Sequence, residues 1–574
     1  MTSQCSLATE KLFQQRGDFI IIGLTGRTGA GCTTVKEILC NDFDSIMPPI
    51  PLAENSKNLE ELKYDIIYNY ASLHWQPFKS IKISHVITSI MTSFSFQRFI
   101  DFIQNYNLTL TKDEVSLLKD NFQNCMEFSN TLLSGEDGLN SVNSALDFYL
   151  HHVPVLTDIL KSILSRKRVP VVLSSSQDIV DMDGFTFLYQ EIGKNLRATG
   201  SPYSASPFSS RNIFCLAKRT DDIINLLRKK KELTGDQSGV RIVLDSIRNP
   251  YEALYFKDRY SSFYLLSINV DENTRTSRLL KKNYTSAEVS AMDSRENPNK
   301  DIPEEMFYVQ SIGGSIEISD IYINNEGSIS ELIKQLLKYI SLILHPGLVA
   351  PTHVERTMQI AVNAKINSGC ISRQVGAVVT DDDFNIKAVG WNSAPSGQIP
   401  CSLRDIRKLF SEKANDNFTF STYELTNENF ATHSKKFMAG KESHLKGRPF
   451  TYCFKDLYND MNHGKNQVHT RSLHAEENAF LQISKSGGQG LQGGKLFTTA
   501  SPCELCAKKA YQIGIKEIYY IDPYPGISME HILSCGSNPP KTILFTGAIG
   551  RAYTQLYTPL LPMKDEISML CEQL

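Results

Sequence analysis

The sequence predicts an α/β protein of two domains: a parallel sheet with a helical insertion, followed by a three-layer α/β/α domain. Three observations predict this. The chain has 574 residues, and single hydrophobic cores stop growing at about 250–300 residues. Residues 18–25 are a nearly continuous apolar and β-branched run that ends in a glycine turn, the pattern of a strand buried on both faces. Beyond residue 351, short apolar strands alternate with helical stretches, as a layered α/β domain requires.

Composition narrows the class. Apolar residues make up 41% and charged residues 21% of the chain, as in an ordinary globular protein. A formal net charge of −2 gives no general attraction to nucleic acid. The twelve cysteines are not spaced as a disulfide framework, which fits a reducing cytoplasm. No basic segment followed by an apolar run and a cleavage site opens the chain, so no signal peptide is expected. The longest apolar runs, residues 19–24 and 339–344, are too short to cross a bilayer.

The first domain is expected over residues 1–345. After the strand come Gly26, Arg27, Thr28, Gly29, Ala30, Gly31, Cys32 and Thr33, and then a helix over residues 35–40. Strand, glycine loop and helix in this order make the setting of a P-loop, whose backbone N–H groups curl around phosphates at a helix N-terminus. Thr33 sits where a P-loop hydroxyl reaches Mg²⁺. The pattern's Lys is replaced by Cys32, and Arg27 is the nearest substitute cation. A tight glycine turn without a ligand is the alternative. Residues 55–165 have apolar residues at three- and four-residue steps, such as Val115, Leu118 and Phe122, and are read as a helical insertion. Further buried strands are expected at 171–174, 240–245 and 262–270, with Asp245 at a strand's C-terminal end and Arg275 and Arg278 opening a helix. Residues 193–211, rich in Ser, Gly and Pro, read as a loop. Lys229–Lys231 read as a solvated helix end, 293–301 as a polar segment where a lid would lie, and 328–344 as an amphipathic helix.

This order resembles the nucleoside monophosphate kinase and dephospho-coenzyme A kinase group of P-loop folds. The resemblance rests on the glycine loop, the Asp245–Arg248 turn and the Asn324–Gly327 turn. It implies nucleotide binding; without the Lys, phosphoryl transfer does not follow.

A domain boundary is expected at 345–351, where Pro346 and Gly347 end one helix and Pro351 precedes the next, leaving 351–574 as the second domain. Strands are expected at 375–379, 386–391, 495–499 and 517–521, and helices at 352–367, 474–483 and 507–513. At two of the helix starts lie His474 and Glu476, and then Cys503 and Cys506. One His, one Cys-x-x-Cys pair and a Glu that is not a ligand form the signature of a zinc nucleobase deaminase. An imidazole and two thiolates leave Zn²⁺ one open position for water, whose pKa the metal lowers. Glu476, two residues from His474, is placed to take the water's proton and pass it to the pyrimidine ring and the leaving amine. Cys503 and Cys506 fall at a helix start, where free amides favour thiolates. A structural zinc knuckle would want a fourth protein ligand and has no use for the Glu.

The strand and helix order resembles the cytidine deaminase superfamily. The run from His474 to Ala479, with Asn478 inside it, and the residues Cys370, Arg373, Gly376, Gly390, Trp391, Asn392, Pro395, Gly397 and Cys401 resemble its deoxycytidylate deaminases. That resemblance implies that Asn392 binds the sugar and that the Ser501 carbonyl accepts from the exocyclic amine; a turn-forming role for Asn392 stays open. It also implies a possible second zinc at Cys370, Cys401 and His469, with Cys453 or His463 nearby; buried thiols and loop histidines are the alternative. The long polar insertion 402–470 offers Lys435, Lys436, Lys441 and Lys446 for substrate phosphates, or as a solvated cluster.

The pairing of both halves resembles the bacterial two-domain antiphage deoxycytidylate deaminases. It implies dCTP and dCMP as substrates, dUTP and dUMP as products, a regulatory nucleotide at the P-loop, homo-oligomers and an inhibitory RNA. Two other functions compete. A deaminase of tRNA or single-stranded DNA would show a basic, aromatic-rich groove, and a non-catalytic nucleotide-binding regulator would not keep His474, Glu476, Cys503 and Cys506 intact.

Overall fold

The structure is a computed structural model describing residues 4–52, 58–132, 139–172, 179–236, 238–297, 303–411, 418–487, 490–522 and 526–571. The chain divides into two compact units: Met1–Ala350 together with Arg551–Leu574, and Pro351–Gly550. No helix among the described residues is long and apolar enough to cross a membrane.

The strands of the first unit are β1 (Phe19–Thr25), β2 (Lys79–Lys82), β3 (Arg168–Val172), β4 (Ile179–Asp183), β5 (Val240–Asp245), β6 (Phe263–Asn269) and β7 (Ile321–Asn324). β2, β5, β1, β6 and β7 lie side by side in that order, all parallel. Ile20, Ile21, Ile22 and Leu24 of β1 are fully buried, as expected of a central strand covered on both faces. Burying each such side chain contributes about 1.5–3 kcal/mol before conformational entropy is charged against it.

Three expectations about this unit are corrected. The run at Val171 is not part of the parallel sheet: β3 pairs antiparallel with β4 in a separate two-stranded sheet. Its residues 173 and 174 lie outside the described residues, as do 298–301 of the segment expected to be a lid. The segment from Gly193 is not all loop, because the helix Gly184–Thr199 runs through it, capped by the Asp183 side chain on Thr186 N and stopped by Gly200 at φ 78°. A local excess of Ser, Gly and Pro after residue 199 hid the helix end. β2 lies inside the stretch read as a helical insertion; four residues with two lysines give too short an apolar signal to reveal an edge strand.

The second unit has a five-stranded sheet. Its strands are β8 (Gly376–Thr380), β9 (Ile386–Trp391), β10 (Lys495–Ala500), β11 (Glu517–Asp522) and β12 (Lys541–Leu544), in the order β12-β11-β10-β8-β9. β10, β11 and β12 are mutually parallel, and β8 runs antiparallel to both β9 and β10. Two glycines show why helices lie on both faces. A Cβ on Gly376 would meet Ala361 O at 2.0 Å, in the helix His353–Lys365. Its neighbour Ala377 is in register with Gly390, whose Cβ would meet Ala475 O at 2.1 Å, in the helix Ala475–Lys485. Successive strand residues face opposite sides, so these helices cover opposite faces of the sheet.

The insertion 402–470, polar by composition, builds a small core of its own from Ile406, Leu409, Phe420, Phe430, Phe450, Tyr452 and Leu457. Beside it Arg404 Nη2 donates to Glu424 Oε1 at 2.6 Å, with both side chains fully buried, and the Tyr452 hydroxyl donates to the same carboxylate. The tail, expected to belong with the second domain, returns to the first unit. Gly347 N donates to Leu556 O at 2.8 Å, Arg551 Nη2 donates to Phe263 O at 2.8 Å, and His345 Nε2 lies 2.8 Å from Glu566 Oε1. An apolar pattern tells that a helix has a buried face, not which core buries it.

Candidate active site

The second unit brings two helix starts together. His474 caps the helix Ala475–Lys485 in extended backbone conformation, and Asn478 N donates to its carbonyl at 2.8 Å. The chain entering that cap is fixed from both sides. Leu473 and Ser393 exchange backbone hydrogen bonds of 2.9 and 3.3 Å, and Asn478 Nδ2 donates to Trp391 O at 3.1 Å and Ser393 Oγ at 3.2 Å. Asn478 therefore braces the end of β9 against the helix, a role its place in the motif did not reveal. Cys503 caps the helix Glu504–Gln512, and Ser528 Oγ holds the Pro502 carbonyl before it at 2.7 Å.

His474, Cys503 and Cys506 each direct one ligand atom into a common space, all within 4.8 Å of one another. Cys503 Sγ lies 3.3 Å and Cys506 Sγ 3.5 Å from His474 Nδ1. A four-coordinate zinc with N and S bonds of about 2.0–2.3 Å spaces its ligands in this way, so the donor set fits that metal. The protonation of the three groups is coupled. The hydrogen bond from Cys506, with help from His474, holds the Cys503 thiol down at about 4. As the donor to that sulfur, Cys506 is pushed well above the usual thiol range, and burial adds to this. The bond to Cys503 raises His474. Glu476 is 4% exposed, and burial raises its carboxyl above the ordinary range. The Thr498 hydroxyl on β10 donates to it at 3.4 Å. A buried carboxyl whose two protonation states are drawn together in energy is suited to carrying a proton.

A cavity of about 660 Å³ opens on this cluster and is lined also by Asn392 and Ser501. Asn392 Oδ1 accepts from Val375 N at 3.0 Å, so one end of its carboxamide is committed. Ser501 N donates to Asp522 O at 2.8 Å, and Asp522 is also held by Arg373 Nη2 at 2.5 Å. The lysines proposed for substrate phosphates do not line the cavity. Lys435 lies over Phe410 and Lys441 over Phe437. The cations in the wall are Arg373, Lys455, Arg471 and Lys509. Lys509 is paired with Glu477, while Arg471 Nη1 is buried with no partner among the described residues. Arg471 stands three residues before His474, and that closeness was the signal available in the sequence. Cys370, Cys401 and Cys453 line the cavity too, but His469 packs on Tyr458 at 4.4 Å. Among the described residues, the group of three ligands within 4.8 Å is the one at His474.

In the first unit the glycine loop leads into the helix Cys32–Cys40, with Gly29 at φ 91° and Gly31 at φ 111°. Asn325 Nδ2 donates to Ala30 O at 2.7 Å and Arg275 Nη1 to Thr28 O at 3.0 Å, which fixes its shape. The Glu296 carboxylate accepts from Thr28 N at 3.2 Å, from the Thr28 hydroxyl and from Arg248 Nη1 at 2.7 Å. Arg27, the expected substitute for Lys, is paired with Glu272 and with Asp293 at 2.8 Å. The Cys32 thiol, pushed up to about 12 mainly by burial, carries no charge at neutral pH. Thr33 is exposed and borders a cavity of about 360 Å³ with Asp245 and Arg248.

Comparison with known proteins joins these observations. Residues 351–522 match the family described as the cytidine and deoxycytidylate deaminase zinc-binding region. The C-terminal part of this chain is a deaminase domain. The deoxycytidylate deaminase of Enterobacteria phage T2 is 27% identical over 167 residues, 29% of this chain and 78% of the phage protein. That of Schizosaccharomyces pombe is 23% identical over 209 residues, 36% and 48% of the two chains. Among solved structures, the dCMP deaminase of cyanophage S-TIM5 in complex with dCMP and dUMP is 23% identical, covers 33% of this chain and 95% of its own, and has a TM-score of 0.21. Within the deaminase domain, the matched family region contains His474, Glu476, Cys503, Cys506, Asn392 and Ser501.

Proposed function

We propose that the protein is a zinc-dependent deaminase of free deoxycytidine nucleotides, converting dCMP and dCTP to dUMP and dUTP with release of ammonia. The observation that carries this reading is the His474, Cys503 and Cys506 cluster facing one cavity with the buried Glu476. His474, Cys503 and Cys506 would hold Zn²⁺, which would supply Lewis acidity for activating the attacking water at neutral pH. Glu476 accepts the proton of the attacking water, delivers it to the ring nitrogen of cytosine, and then moves a proton to the departing amine. With Oδ1 committed to Val375, Asn392 meets the sugar as a donor through Nδ2. The Ser501 carbonyl accepts from the exocyclic amine, and Arg471 receives the phosphate with its unpartnered Nη1. The similarity to the deoxycytidylate deaminases of phage T2 and Schizosaccharomyces pombe supports the substrate class.

In the same reading the glycine loop of the first unit binds a regulatory nucleotide without transferring its phosphate. Binding there requires Glu296 to release the Thr28 amide, because a phosphate and a carboxylate compete for the same donor. Homo-oligomeric assembly and antiphage defence by nucleotide depletion belong to this proposal as well. The test incubates purified protein with dCMP, dCTP, a single-stranded DNA and a tRNA, and separates the products by chromatography. Formation of dUMP or dUTP is expected. Conversion confined to the polynucleotides would overturn the substrate assignment.

A further inference from the structure

The first unit contains a second cavity, of about 680 Å³, that takes no part in either site above. It lies at the start of β1 and β5, where Gly17, Asp18, Gly239 and Arg241 enter its wall. The glycine loop follows the opposite end of β1, so the two places are separated by the length of the strand. The volume is that of small-molecule pockets, which run to about 300–1,000 Å³.

Its chemistry is defined by one side chain. Arg241 is 6% exposed. Its Nη1 donates to the His74 carbonyl at 3.1 Å, and its Nε is buried with no partner among the described residues. Of the acids in the wall, Glu10, Asp18 and Glu566, none pairs with it among the described residues. Glu566 lies against His345 Nε2 at 2.8 Å, and Asp18 lies 3.7 Å from Lys231. Burial pulls the guanidinium down to about 10, with Tyr70 acting in the other direction and no carboxylate contributing. Arg241 thus remains charged at neutral pH. A buried charge without a counter-charge costs several kcal/mol unless something pairs with it.

Four rings, Phe13, Tyr70, His74 and His345, also line the wall. The Phe13 and His345 rings stack with centroids 4.1 Å apart and an interplanar angle of 8°. Tyr70 and His74 stack at 4.0 Å and 12°. His345 Nδ1 is a second buried nitrogen with no partner among the described residues. A cation, an unpartnered ring nitrogen and two stacked ring pairs around one space suit a ligand with a charged end and a flat body.

We propose that this cavity is a binding site for a small anion bearing a planar ring, with the carboxylate or phosphate of the ligand paired to Arg241. The test titrates the full chain calorimetrically with two probes, benzoate and phenyl phosphate, which share the ring and differ in the anion. Arg241→Met keeps most of the side-chain volume and removes the charge. Leu348→Trp fills the cavity and keeps Arg241, so a folding failure of one variant does not end the test. One probe should bind the wild type at a single site, and each folded variant should weaken it by roughly tenfold or more. Which probe binds decides between carboxylate and phosphate. In addition, ligand-free Arg241→Met should melt no lower than the wild type, because it loses an uncompensated charge; an arginine with a purely structural role would lower the melting temperature. If neither probe binds the wild type, or if binding is the same in both variants, the proposal is wrong.

Discussion

Each unit has a glycine- or cysteine-bearing turn that carries a strand into a helix start, and the two are used differently. In the second unit the turn at Cys503 and the cap at His474 leave their side chains facing an open cavity. In the first unit the loop from Gly26 to Thr33 enters its helix through Gly29 and Gly31 at positive φ, but its Thr28 amide and Arg27 are engaged by Glu296, Glu272 and Asp293. A motif specifies the backbone. Whether donors are free for a ligand depends on side chains from distant parts of the chain, here 268 residues away in sequence, as the pairing of Thr28 with Glu296 illustrates.

The contrast is broken most forcefully at Glu476. Glu476→Ala should lower dCMP deamination by about 10²–10⁴-fold while metal analysis still finds the wild-type zinc content, because Glu476 moves protons and is not a ligand. Cys503→Ser should lose both zinc and activity, since a hydroxyl is a poor replacement for a thiolate. Full turnover in zinc-loaded Glu476→Ala would remove the mechanism.

The next effect compares two glycines. A Cβ on Gly390 would press on backbone, on Ala475 O at 2.1 Å and Ala479 N at 2.6 Å, whereas one on Gly31 would meet the end of the Asn325 side chain at 2.1 Å. Gly390→Ala should therefore cost about 1–3 kcal/mol in denaturant unfolding and lower zinc retention. At Gly31, with φ 111°, the cost is backbone strain of about 1–2 kcal/mol and should leave zinc untouched. Equal zinc loss in both variants would show that the two loops are not independent.

A smaller change sharpens the comparison at the substrate end. Arg471→Gln should raise KM for dCMP roughly tenfold with kcat nearly kept, and should not alter the turnover of deoxycytidine, which lacks the phosphate. The smallest change is expected at Glu296→Gln. Without the carboxylate charge, the Thr28 amide becomes easier to capture, and nucleoside triphosphate affinity, measured by equilibrium binding, should rise by about a few-fold. A decrease would mean that Glu296 shapes the loop and does not obstruct it.

The cluster of His474, Glu476, Cys503 and Cys506 was legible because it is concentrated in few residues at fixed spacing: His474 and Glu476 are two apart, and Cys503 and Cys506 three apart. The strands at Phe19 and Val240 were legible because they are buried on both faces. What the sequence hid depends on long-range pairing. Nothing near Arg27 announces Glu272 or Asp293, nothing near Arg404 announces Glu424, and Lys435, Lys436, Lys441 and Lys446 are more conspicuous in the sequence than Arg471, which lines the cavity. β3 failed for a related reason: a short apolar run such as the one at Val171 does not say which sheet will take it.

The return of the tail also orders events during synthesis. Because Arg551–Leu574 completes the unit that begins at the N-terminus, and Pro351–Gly550 is translated in between, the second unit has its whole sequence before the first has its own. The nascent N-terminal unit must wait, with Gly347 N and His345 lacking their partners Leu556 and Glu566, while the deaminase unit emerges. A stop codon after residue 550 would thus release a complete second unit joined in sequence to an unfinished first.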